Sequence, residues 1–125
     1  MGVDRITTED KFRITKENVD AFMDARYPDS DLDLHEILNN LGWEVRRNRK
    51  TGITGISRER PGWVERDEWE FFNALAPYVD PGSFINFTII YGDAYYERWE
   101  FNGNSVIYKR GELNIKWKEA QPSYY

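Results

Sequence analysis

The hydrophobic period of this chain changes from helical to extended at Asp80-Pro81-Gly82, and that change restricts the fold more than any other feature. Proline presets φ at the turn and glycine accepts the positive φ that follows it. Beyond the turn, Ile85, Phe87, Ile89 and Tyr91 alternate with Asn86 and Thr88. The segment "YYERWEF" then groups Tyr95, Glu97, Trp99 and Phe101 on one side. Asn102-Gly103-Asn104 predicts a hairpin turn, and "SVIYK" and "LNIKW" complete a β-meander with Leu113, Ile115 and Trp117 on one face.

Before the turn the spacing is three and four. Thr15 caps a helix over 15–27 with Val19, Phe22, Met23 and Tyr27 inward, ended by Pro28. A second helix over 31–41 buries Leu34, Ile37, Leu38 and Leu41, with Ser30 as N-cap and Gly42 at its stop. A third, over 65–76, aligns Trp69, Phe72, Leu75 and Ala76 and ends at Pro77. "WEVRRN" and "ITGIS" read as a hairpin around "RKTG", with Gly55 marking a bulge. Residues 1–13 lack a period and read as an arm or a short strand, and 119–125 give no reason for order. The expectation is a single α+β domain over 1–125: about three helices packed on one twisted antiparallel sheet of four to six strands. Five Trp, eight Tyr and seven Phe favour such a sheet-based core.

Chemistry is sparse. The absence of cysteine excludes disulfides, thiolate nucleophiles and cysteine-ligated metals. No apolar run approaches a membrane span, and the charged N-terminus is unlike a signal peptide, so a cytoplasmic protein is expected. Asp29, Asp31 and Asp33 imitate the opening of a calcium loop, but its glycine and glutamate positions hold Leu34 and Asn40. The run is the acidic start of a helix, and no metal or cofactor is expected. His35, the only histidine, has no serine in a nucleophile elbow to activate. Glu97 and Glu100 sit among aromatics, as acids in sugar sites do, but three positions along a strand turn them to opposite faces. No P-loop or dinucleotide fingerprint occurs, and no catalytic residue is assigned.

Charge is uneven. Residues 1–42 hold 10 acidic and 5 basic groups, residues 43–62 hold 2 and 6, residues 63–80 hold 5 and 1, and residues 81–125 hold 5 of each. An acidic chain with one compact basic segment, "RRNRK", is poorly made to clamp nucleic acid directly. It suits a polarised protein interface. The candidate contacts are Asp20, Asp24, Asp29 and Asp31 on the acidic side, with Arg46, Arg47, Arg49 and Lys50 on the hairpin.

The segments "LNNLGWE", "ITGI" and "EFFNALAPYVDPGSFINF…YYERWEFNG" resemble small accessory proteins of phages and other mobile elements, over about residues 34–107. The resemblance implies a non-enzymatic inhibitor or sequestering protein that occupies a partner's surface, in the manner of anti-CRISPR proteins. Its partner would be another protein, such as a host nuclease or CRISPR effector. A toxin-neutralising immunity protein is a variant of that reading. The alternative is a small enzyme or ligand-binding module using the aromatic and acidic face around Glu97 and Trp99.

Overall fold

The computed structural model describes residues 4–61, 66–91 and 93–111, together with Glu119 and Pro122. The strand expected at 113–117, the 121–125 tail apart from Pro122, and Glu65 at the third helix start lie outside the described residues. So do the side chains of Tyr91 and Tyr95.

The described chain is α+β, with three helices and antiparallel pairing throughout. Two sheets replace the single one expected. Strands β1 (Asp4–Lys11), β5 (Glu59–Pro61), β6 (Phe84–Tyr91), β7 (Asp93–Phe101) and β8 (Val106–Gly111) form the larger, in the order β5-β1-β6-β7-β8. The smaller takes β2 (Ile14–Thr15), β3 (Glu44–Asn48) and β4 (Gly52–Ser57), in the order β2-β4-β3. The N-terminal arm is therefore an internal strand of the larger sheet. A bulge at Thr8 shifts its register between Thr7 and Glu9, so its inward positions break period.

β4 and β5 are nearly continuous, and the chain changes sheets at Arg58. There Thr7 donates its N–H to the Arg58 carbonyl at 3.1 Å and its Oγ1 accepts the Arg58 N–H at 2.9 Å. Through these two bonds the β1 strand and the crossover join the two sheets.

The helices follow from caps and apolar spacing. α1 (Lys16–Arg26) starts where Thr15 Oγ1 accepts the Asn18 N–H at 3.2 Å, and it buries Phe22 with Val19, Met23 and Tyr27 packed beside it. α2 (Leu34–Asn40) begins one turn later than the sequence suggests. Asp33 is its N-cap, Glu36 reaches back to the Asp33 N–H at 3.2 Å, and Ser30 instead accepts the Leu32 N–H in a local turn. α3 (Arg66–Leu75) runs into a 3-10 turn, Ala76–Tyr78, that contains Pro77.

The core is dominated by aromatic rings. Phe72 meets Trp43 at 5.0 Å and Trp99 at 5.3 Å, Trp69 meets Trp99 at 5.3 Å, and Phe12 meets Phe101 at 5.2 Å. Edge-to-face pairs of this kind each add about 0.5–1.5 kcal/mol beyond their buried area. Within this apolar layer lies one ionic cluster that hydrophobic spacing does not reveal. Glu68, on α3, accepts from Arg5 Nη2 at 2.8 Å and from Arg58 Nη1, and Arg58 also donates to the Leu41 carbonyl. Burial pulls the Arg5 guanidinium below its ordinary pKa, with Glu68 opposing the shift. The Arg5 guanidinium carbon lies 5.3 Å from the Phe87 ring centre and 5.6 Å from that of Trp99.

Candidate functional site

Strand alternation in the β3–β4 hairpin decides which arginines remain available. Arg46 pairs with Gly55, Arg47 pairs with Ile53, and Thr54 is the extra residue between them. Alternation then sends Arg46 and Arg47 to opposite faces. Arg46 crosses Gly55, where a Cβ would stand 2.0 Å from its Nη2, and bonds both oxygens of Asp10 at 2.6 and 2.7 Å. Asp10 Oδ2 also accepts the Ile56 N–H at 3.1 Å. Arg46 thus braces the two sheets, and its guanidinium is already engaged.

Arg47 faces the helices. With Asn48 and Arg49 it forms one wall of an open groove of about 430 Å³. Gly52 and Ile53 of β4 adjoin it, and Lys16, Val19, Asp20, Asp33 and His35 complete the lining from α1 and the start of α2. Gly52 is what brings these elements together. Its φ is 102°, and a Cβ there would stand 2.2 Å from the Ile14 carbonyl oxygen and 2.7 Å from the Lys16 nitrogen. Only glycine lets the hairpin approach the first turn of α1 so closely.

Of the eight contacts expected from sequence, three share this groove: Asp20, Arg47 and Arg49. Asp24 is exposed on α1, Asp29 and Asp31 are exposed in the loop before α2, and Lys50 lies in the hairpin turn; none of them lines it. Sequence reasoning missed Lys16, Asp33 and His35 as groove residues. The signal for Lys16 was its place directly after the helix cap, next to a strand that begins with glycine. Lys16, Arg47 and Arg49 form no ion pair with a described residue. Three uncommitted cations and the Asp20 carboxylate therefore bound one cleft, and a partner carrying both signs can satisfy them together.

The acidic and aromatic face around Glu97 and Trp99 is not open. Trp99 is fully buried, and Glu97 is nearly so, accepting from the Tyr108 hydroxyl at 2.6 Å. Glu100 does lie on the opposite face, where it meets Lys109 at 2.8 Å and Arg98 at 3.4 Å. Among the described residues no group of three or more His, Asp or Glu is placed to hold a metal ion, and no helix is long and apolar enough to cross a membrane. No family model matches the chain, and neither a curated protein nor a solved structure matches it significantly.

Proposed function

We propose that this protein acts by binding another protein through the groove between α1, α2 and the β3–β4 hairpin, inhibiting or sequestering that partner without turning over a substrate. The observation that carries the reading is the set of uncommitted cations, Lys16, Arg47 and Arg49, in one cleft with Asp20. What distinguishes these three from other unpaired surface cations is that they converge on one formed cleft. The two-signed lining orients a partner, and the arginines supply planar donors suited to carboxylates at an interface. The resemblance to mobile-element accessory proteins favours a host protein, such as a nuclease or CRISPR effector, as the target.

The test is affinity capture from host cells with mass spectrometry, followed by titration of the captured partner against variants. The double charge reversal R47E/R49E is expected to weaken binding about tenfold or more, as is D20K. Reversal at Asp24, Asp29 and Asp31, outside the groove, is expected to do less. All these side chains are exposed, so the melting temperature should move by no more than about 2 °C. Binding that survives both groove variants rules the groove out.

A further inference from the structure

The larger sheet has a second face, which the core does not use. Ile85, Phe87 and Ile89 are buried on one side of β6, and Phe84, Asn86, Thr88 and Ile90 alternate to the other. Among the described residues six large apolar side chains are exposed, and four of them belong to this outer face: Ile6, Ile90, Tyr96 and Ile107. Ile6, Ile90 and Tyr96 cluster at one end of this face, and Ile107 lies beyond the charged row.

The strand register arranges that face in rows from β1 to β8. One row reads Ile6, Thr88, Tyr96, Gly111; the next reads Glu9, Asn86, Arg98, Lys109. The second row is acidic at its β1 end and basic at its β8 end. The first is bulky at β1 and has no side chain at Gly111, where an open groove of about 570 Å³ runs past Tyr96, Arg98 and Lys109.

We infer that this face docks against the same face of a second copy of the chain, about a twofold axis running along the strands between β6 and β7. That rotation lays β1 of each copy over β8 of the other. Glu9 then meets Lys109 twice, Asn86 meets Arg98 twice, and Ile6 enters the gap beside Tyr96 that Gly111 leaves. A twofold contact must be self-complementary in this way, and sheets stacked face to face keep their strands aligned to within about 30°. The charged row holds one acid, Glu9, at its β1 end and two bases, Arg98 and Lys109, toward β8, and the twofold stack sets each end against its opposite in the second copy. Lys109 and Arg98 keep 56% and 42% of their side chains exposed despite their contacts with Glu100, and remain accessible to a partner. The dimer would present two of the helical grooves, since those belong to other elements.

Sedimentation velocity on the full chain, from about 1 to about 500 µM, tests the inference. A monomer–dimer equilibrium is expected. E9K and K109E should each weaken it about tenfold or more, and the double exchange E9K/K109E should recover affinity toward that of the unaltered chain. Tyr96→Ser gives an independent loss that does not depend on charge. Circular dichroism confirms that each variant is folded. A chain that stays monomeric over the whole range overturns the inference. So does a dimer that both single reversals and Tyr96→Ser leave unchanged.

Discussion

Two groups of charges in this molecule have opposite fates. Arg5, Arg58 and Glu68 are buried together between the sheets and α3, each guanidinium bonded to the one carboxylate. Lys16, Arg47 and Arg49 stand exposed around a cleft and pair with nothing described. The first group joins β1, the crossover at Arg58 and α3, so it is used in folding. The second leaves the fold indifferent to its presence. Buried ions resist removal because a lone survivor keeps its desolvation cost, whereas an exposed cation loses little when it is replaced. Variants in the two groups should therefore separate stability from binding, and this contrast can be broken at several points.

The largest effect belongs to Glu68. Glu68→Ala leaves two guanidinium groups buried without their carboxylate, and it should cost about 3–5 kcal/mol in denaturant unfolding. Exchanging all three ions for apolar residues, R5M/R58M/E68L, should cost less than that single change, because no uncompensated charge remains. If the triple variant proves worse than Glu68→Ala, the cluster is a net stabiliser and the contrast weakens.

Next comes Gly52, where fold and groove meet. Gly52→Ala puts a Cβ against the Ile14 carbonyl and the Lys16 nitrogen at a positive φ. The expected loss is about 2–3 kcal/mol by thermal or denaturant unfolding, with partner affinity falling as well because the hairpin must move away from α1. An unchanged stability would show that the hairpin's position is not held there.

These cases also show what could be read from sequence. The helices at 16–26 and 66–75 and the strands after Pro81 were legible because their inward residues are apolar at the right period. β1 was legible only as an arm or a short strand, because its inward positions carry Arg5, Thr7 and Asp10, with the Thr8 bulge breaking the alternation. Glu68 was hidden for the same reason: a charged residue on a helix is expected to be outside, and only Arg5 of β1 and Arg58 at the crossover reverse that. The groove was half legible. Arg47, Arg49 and Asp20 were identified by charge, and Gly55 marked the bulge that falls at the neighbouring Thr54, but the engagement of Arg46 by Asp10 of a distant strand leaves no mark in sequence. Pairing between distant elements decides each of these points, and local period carries no information about it.

The smallest expected effect lies on the outer sheet face, at Glu100. The hydrogen bond from Lys109, and secondarily the one from Arg98, holds its carboxyl below the usual carboxylate pKa. The folded state therefore binds the Glu100 proton less readily than the unfolded chain does. Above the unfolded pKa of about 4.5 this preference contributes fully to stability, and it is lost as pH falls through the lower folded value. Glu100→Gln should accordingly flatten stability slightly below about pH 4.5 and leave the rest of the pH profile parallel to that of the unaltered chain. Because the carboxylate is near solvent, salt should shrink the difference between the two profiles, whereas the deficit of Glu68→Ala should be almost insensitive to salt. Equal salt sensitivity at the two sites would mean that the buried and exposed charges are not as differently solvated as their positions require.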